Sequence, residues 1–137
     1  MKSKTVLLIE PNRSIRENLK NSLEAIGDKV FIAKDEDEAL GVLKGNEIDV
    51  IIIEPLLNTD FLSNKKEFIR NVLSGGTGAV LISNIRTAYR KKFDTIFYTV
   101  VSASKLFAIS PELEDVIYIR KPQSTEFIIL VVHSEGG

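Results

Sequence analysis

Residues 5–54 of the chain read TVLLIEPNRSIRENLKNSLEAIGDKVFIAKDEDEALGVLKGNEIDVIIIE, a stretch in which short apolar runs alternate with helical patterns. The runs at residues 5–9 and 50–53 are unbroken and rich in Val, Ile and Leu, as is typical of strands that helices cover on both faces. A shorter run at residues 29–33 lies between them. This stretch therefore predicts three parallel strands joined by helices.

Two helices are predicted between these strands. Asn12 can cap the first helix and Gly27 can end it, while the apolar residues between them recur at helical spacing. These apolar residues are Ile15, Leu19, Leu23 and Ile26. Asp35 and Glu38 form a capping-box-like start for the second helix, which Gly45 ends.

The second half of the chain continues the alternation. Its patterns predict a helix at residues 64–73, a fourth strand at 79–82, a strand at 116–119 and a last helix at 124–133. Residues 84–110 admit two interpretations, because their apolar residues keep helical spacing while residues 95–101 are β-branched and aromatic enough for an extra strand. We therefore predict one α/β domain over residues 1–137, a doubly wound parallel sheet with an extra strand or helix inserted at about residues 84–110.

The composition excludes several classes of protein. The chain has 137 residues, 44% of them hydrophobic, with 18 basic and 19 acidic side chains and no Cys. Disulfide scaffolds, Cys-ligated metals and thiol catalysis are excluded, and the net charge of −1 gives no general attraction to nucleic acid. The longest apolar run, residues 127–132, is too short to cross a membrane, so a cytoplasmic protein with no membrane contact is expected.

Charged and polar residues follow four of the predicted strands: Glu10, Glu54, Ser83 and Lys121. In open parallel sheets, chemistry and ligands are found at the carboxyl ends of the strands, which meet at one edge. We therefore expect two carboxylates and one ammonium group to lie close together at this edge.

Three segments resemble the receiver domain of two-component response regulators. They are residues 6–10 (VLLIE) with Ile15 and Arg16 after them, residues 48–54 (IDVIIIE) and residues 116–122 (VIYIRKP). The resemblance covers most of the chain except about residues 84–110 and implies a flavodoxin-like, receiver-like sheet of order 2-1-3-4-5. In that family an acidic pair after the first strand helps to bind Mg²⁺, and an Asp ending the third strand accepts a phosphoryl group. A Ser or Thr ends the fourth strand, and a Lys before Pro ends the fifth.

The sequence departs from this family pattern at two positions. Glu10 matches the first acid, but the second falls on Pro11, which has no ligand atom, and Asn12 is only a weak neutral donor. Glu54 replaces the acceptor Asp, and its extra methylene displaces the carboxylate. We therefore expect no metal, no cofactor and no enzymatic activity. Lys121 should instead form a partly buried ion pair with Glu54, which would hold permanently the charge that a phosphoryl group supplies transiently.

The position of the family's Ser or Thr has two candidates. Ser83 lies 29 residues after Glu54, which resembles the family's separation, but it is 38 residues before Lys121, which is too far. Ser102 lies 19 residues before Lys121 and is followed by Ala103, like the small pair that follows the family's fourth strand. The count favours Ser83 slightly, and either choice implies an insertion of about one β-α unit.

The last predicted helix is apolar on all sides, so something besides the sheet must cover it. We expect Phe127 and Leu130 to face inward, and we predict a homodimer or protein-partner interface. Its candidate residues are Phe127, Ile128, Ile129, Val131 and Val132. Burial against residues 84–110 is the competing expectation. His133, the one histidine, is assigned no role.

These observations favour an atypical receiver domain that signals through protein contacts, without aspartyl phosphorylation, a small-molecule cofactor or direct nucleic-acid binding. One alternative is a receiver that still accepts a phosphoryl group with Mg²⁺. Another is a flavodoxin-like nucleotide or flavin binder, which the absence of a Gly-rich strand-to-helix turn disfavours.

Overall fold

The computed structural model describes residues 2–57, 77–90, 93–104, 113 and 115–134. Over these ranges the chain forms five strands: β1 (Thr5–Ile9), β2 (Lys29–Ile32), β3 (Val50–Ile53), β4 (Asp94–Thr99) and β5 (Ile117–Arg120). It also forms four helices: α1 (Arg13–Ala25), α2 (Glu36–Gly45), α3 (Thr77–Tyr89) and α4 (Thr125–Val132). None of the helices in these ranges is long and apolar enough to cross a membrane.

The five strands form one parallel sheet of order β2-β1-β3-β4-β5. In its centre Val6 of β1 lies opposite Val50 of β3, and Val50 lies opposite Asp94 of β4. The chain therefore starts in the interior of the sheet, adds β2 on one side and then β3, β4 and β5 on the other. This arrangement confirms the predicted doubly wound α/β fold and its strand order.

The alternation of side chains along each strand produces two hydrophobic cores, one on each face of the sheet. On one face, Leu7 and Ile51 pack with residues of α2 and α3; on the other, Leu8 and Ile52 pack with residues of α1 and α4. The central strands are consequently buried on both faces, which explains why their sequences are continuously apolar.

The caps expected for the first two helices are present. The Asn12 side chain accepts a hydrogen bond from the Ile15 amide at 3.0 Å, and the Asp35 side chain accepts one from the Glu38 amide at 2.8 Å. Gly27, just after α1, has a φ of +98°, a conformation that glycine adopts without strain.

The prediction of a strand at residues 79–82 is wrong, because these residues lie within α3. Leu81, Ile82 and Ile85 are buried at the three- and four-residue spacing of a helix. The start of α3 also touches the loop after β3, where a Cβ placed on Gly78 would stand 2.4 Å from the Cα of Pro55.

The fourth strand of the sheet is β4, at residues 94–99. The interpretation of residues 95–101 as a strand is therefore correct, but this strand is the regular fourth strand and not an extra one. The helix predicted at residues 64–73 lies outside the described residues.

The rotation of α4 also differs from the expectation. Phe127 and Leu130 were expected to face inward, yet they are 43% and 64% exposed, whereas Ile128 and Val132 are buried. Ile128 and Val132 share a core with Ile96 and Tyr98 of β4, which is a regular strand of the sheet and not an inserted element. Within the proposed interface set, Ile128 and Val132 are therefore core residues, since the sheet already covers them. Partly buried residues flank them on the same helix: Ile129 and Val131.

His133, which follows α4, has a partner that the sequence did not indicate. Its Nε2 atom lies 2.6 Å from Oδ2 of Asp28, and both side chains are almost completely buried. The other oxygen of Asp28 accepts a hydrogen bond from the Lys4 amide at 2.8 Å. Asp28 thus joins the end of α4 to the turn before β2 and to the start of β1.

Candidate functional site

The carboxyl ends of β1, β3 and β5 bring together the three charged residues singled out in the sequence. Glu10 follows β1, Glu54 follows β3 and Lys121 follows β5. Their positions are fixed by the ladder itself, because the Glu54 amide donates to the Ile9 carbonyl at 3.0 Å and the Lys121 amide donates to the Thr99 carbonyl at 2.9 Å. The predicted convergence of two carboxylates and one ammonium group is therefore present.

The Lys121 ammonium group bridges the two carboxylates. Its Nζ atom lies 2.7 Å from Oε1 of Glu10 and 3.0 Å from Oε1 of Glu54. The side chains are 12% exposed for Lys121, 3% for Glu10 and 7% for Glu54. We refer to these three residues as the charge triad. Formally the triad carries one net negative charge in a site that is largely closed to water.

The second oxygen of each carboxylate is held by the backbone. Oε2 of Glu10 accepts a hydrogen bond from the Asn12 amide at 3.1 Å, and Oε2 of Glu54 accepts one from the Leu56 amide at 3.0 Å. Arg16 adds a hydrogen bond from Nη1 to the backbone carbonyl of Glu10, at 3.2 Å. Both carboxylates are thus fixed at both oxygens, as a buried charge requires.

Two opposing effects act on the pKa of Lys121. Burial lowers it, because a charged amine loses hydration, but the hydrogen bonds and charges of Glu10 and Glu54 outweigh burial and raise the pKa above its ordinary value. Lys121 is therefore an ammonium ion throughout the physiological range of pH.

Thr99 occupies the end of the fourth strand, a position that sequence counting assigned to Ser83 or Ser102. Thr99 is fully buried, and its hydroxyl accepts a hydrogen bond from the Val101 amide at 3.2 Å. Ser83 lies inside α3, so its assignment to the strand end is wrong, and Ser102 is an exposed residue three positions beyond β4. The error follows from the misassigned fourth strand, although Thr99 lay within the alternative strand that the sequence allowed.

The residues around Glu10 offer little to a metal ion. Pro11 has no ligand atom, and the side-chain oxygen of Asn12 already caps α1. Across the described ranges, no three His, Cys, Asp or Glu side chains are grouped in a way that could hold a metal ion. Lys121 contacts both carboxylates of the charge triad.

Comparison with known proteins gives similarity in structure alone. No family model matches the sequence, and no curated protein matches it either. Among solved structures, a two-component response regulator from Clostridium difficile is 20% identical, with a TM-score of 0.71 and 95% of each chain covered. A chemotaxis response regulator of Vibrio cholerae is 18% identical, with a TM-score of 0.72 over 96% of this chain and 97% of its own.

A response regulator from Thermotoga maritima is 24% identical, with a TM-score of 0.70 over 96% of this chain and 95% of its own. Each of these three matches spans nearly the whole of both chains, at an identity that supports a statement about fold. Together with the strand order and the two-faced packing of the sheet, they show that this chain has the fold of the receiver domains of response regulators.

Proposed function

We propose that the chain is a receiver-type signalling module that acts through protein contacts and does not use aspartyl phosphorylation. The observation that carries this proposal is the charge triad, in which Lys121 contacts Glu10 and Glu54 at once. In the receiver family these positions belong to an acid, the phospho-acceptor Asp and a Lys.

The geometry of Glu54 opposes phosphoryl transfer. A phospho-acceptor must present a carboxylate oxygen in line with the leaving group, and transfer depends almost wholly on positioning and on neutralising charge. One oxygen of Glu54 is held by Lys121 and the other by the Leu56 amide, both at 3.0 Å. These contacts hold the carboxylate in one orientation in a buried site, and the extra methylene displaces it from the position of an Asp carboxylate.

The metal that assists such transfer also lacks its usual ligands. Mg²⁺ is held near-octahedrally by oxygens, commonly by one or two carboxylates together with phosphate. Pro11 removes one carboxylate from the family pattern, and Lys121 already forms an ion pair with Glu10. A divalent cation would have to compete with this ammonium group for both carboxylates.

The charge triad therefore provides a fixed charge and a fixed position of Lys121 without chemical modification. A protein partner or a second copy of the chain would recognise such a module by binding to its surface. Exposed apolar residues on α4, Phe127 and Leu130, supply contact area for such a partner, and the half-buried Ile129 and Val131 border them. We expect it to act in the cytoplasm, with no small-molecule cofactor and no direct contact with nucleic acid.

Radiolabelled acetyl phosphate with Mg²⁺ tests the proposal directly. The wild-type chain should remain unlabelled, whereas a Pro11→Asp, Glu54→Asp double variant restores both family carboxylates and should gain label. Glu54→Asp alone is the matched control, because it corrects the acceptor but not the metal ligand. Label on the wild-type chain that Glu54→Gln abolishes would refute the proposal and establish the alternative, a Mg²⁺-dependent phosphoryl-accepting receiver.

A further inference from the structure

Tyr98 is the penultimate residue of β4 and lies next to Lys121. Its side chain belongs to the core that includes α4 and is 4% exposed. The Nζ atom of Lys121 lies 5.4 Å from the centroid of the Tyr98 ring, within the range of a cation–π contact. The same ammonium group therefore meets two carboxylates and an aromatic face.

The hydroxyl group of Tyr98 is bonded to the backbone just after Lys121. It accepts a hydrogen bond from the Gln123 amide at 3.0 Å and donates one to the Gln123 carbonyl at 3.3 Å. One side chain thus contacts the Lys121 ammonium group through its ring and fixes both polar groups of Gln123 through its hydroxyl. A buried tyrosine hydroxyl needs hydrogen-bond partners, and for Tyr98 both partners are backbone groups of one residue, Gln123.

Gln123 leads directly into α4. The next residue, Ser124, caps this helix, since its hydroxyl accepts a hydrogen bond from the Phe127 amide at 3.1 Å. Phe127 and Leu130, the exposed apolar residues of α4, lie within the first two turns after this cap. A continuous set of contacts therefore runs from the charge triad through Tyr98 and Gln123 to the start of the helix.

We infer that Tyr98 is a positioning residue that couples the arrangement of the charge triad to the start of α4. The ring responds to the position of the ammonium group, and the hydroxyl transfers that response to the backbone turn that begins the helix. This inference rests on the proposed function, because it gives the route by which the triad would reach a surface that a partner can contact.

Backbone amide chemical shifts of residues 123–127 measure the coupling. Glu54→Gln should shift these amides, because Lys121 loses one of its two counter-charges and moves over the ring. In a Tyr98→Phe background, which keeps the ring and removes the hydroxyl, the same substitution should no longer shift residues 124–127. Tyr89→Phe is the matched control, since the Tyr89 hydroxyl donates to the Leu40 carbonyl at 3.2 Å, away from the triad, and its loss should leave the response intact.

The reverse direction gives a second measurement, because coupling between two sites is reciprocal. Ser124→Ala removes the helix cap and should shift the NMR signal of the Lys121 ammonium group when Tyr98 is present, but not in Tyr98→Phe. Equal responses to Glu54→Gln with and without the Tyr98 hydroxyl would overturn the inference. So would the absence of any response in the wild-type background. The labelling experiment with acetyl phosphate decides the proposed function separately, because it does not depend on Tyr98.

Discussion

Replacing Lys121 by Met should destabilise the protein far more than removing the whole charge triad. Lys121→Met keeps much of the side-chain volume but leaves Glu10 and Glu54 buried without their cation. Removing one partner of a buried ion pair typically costs about 3 to 5 kcal/mol, because the remaining charge is uncompensated. Two carboxylate oxygens that both contact Nζ can be no more than about 5.7 Å apart, so they repel each other by about 3 kcal/mol at an effective dielectric constant of about 20. This repulsion is present in the wild type too, where the attraction of both carboxylates to Nζ offsets it.

In Lys121→Met nothing offsets this repulsion, and about 3 to 5 kcal/mol is the expected loss of stability. For a chain of 137 residues this lowers Tm by roughly 10 to 17 °C. The triple variant Glu10→Gln, Glu54→Gln, Lys121→Met carries none of the three charges of the triad, and its loss of stability should be smaller than that of the single variant. This order of stabilities is characteristic of buried ion pairs, whose desolvation offsets much of their attraction.

Urea denaturation at neutral pH measures these differences. Lys20→Met serves as the matched control, because the Lys20 ammonium group lies 4.0 Å from Glu24 on the surface of α1, and such pairs contribute only about 0.3 to 0.5 kcal/mol. The reasoning is refuted if Lys121→Met costs no more than this control. It is equally refuted if the triple variant is less stable than Lys121→Met.

Three further outcomes are expected. The pKa of Lys121 is raised in the folded state, so its ammonium form stabilises the fold. The difference in stability between wild type and Lys121→Met should therefore be constant from neutral pH to about pH 10 and decline at higher pH. Urea denaturation at each pH measures this difference. Gly78→Ala should destabilise the chain by about 1 to 3 kcal/mol, because the new Cβ would lie 2.4 Å from the Pro55 backbone. Gly41→Ala should instead stabilise α2 by about 0.5 to 1 kcal/mol, because nothing lies within 4 Å of the new Cβ. Thermal unfolding of the two variants measures both effects. Leu130→Lys should weaken self-association or partner binding while changing stability by no more than about 0.5 kcal/mol, and unchanged sedimentation and partner affinity would remove α4 from the interface.

The sequence predicted the sheet and the triad because both depend on local signals. The continuous apolar runs that become β1 and β3 need no tertiary context to be identified as buried strands. The clustering of the triad, Glu10, Glu54 and Lys121, is then predicted by strand direction alone, because the carboxyl ends of parallel strands meet at one edge of the sheet.

The fourth strand could not be predicted in this way. An apolar run at residues 79–82 fits a strand or a buried helix equally well by periodicity. The close approach of Gly78 to Pro55 holds the start of α3 against the loop after β3, and this contact joins residues from separate elements. Thr99 can be recognised as the end of the fourth strand only after residues 94–99 are assigned to that strand.

The sequence also could not predict which side of α4 faces the sheet. Six consecutive apolar residues give no polar face from which a direction could be read. The structure turns Ile128 and Val132 toward the β4 core, which leaves Leu130 64% exposed. Tyr98 gave no signal either, because its role lies in contacts with a residue that is distant in sequence, Gln123.

The Asp28–His133 contact sets a limit on how far the chain can be shortened by engineering. A version ending at Val132 would keep all of α4 but leave the Asp28 carboxylate buried with the Lys4 amide as its one remaining partner among the contacts described above. An unmatched buried carboxylate favours opening of the elements around it, which here are the start of β1, the turn before β2 and the end of α4. Proteases should therefore cut such a shortened chain at these three places sooner than they cut one that retains His133.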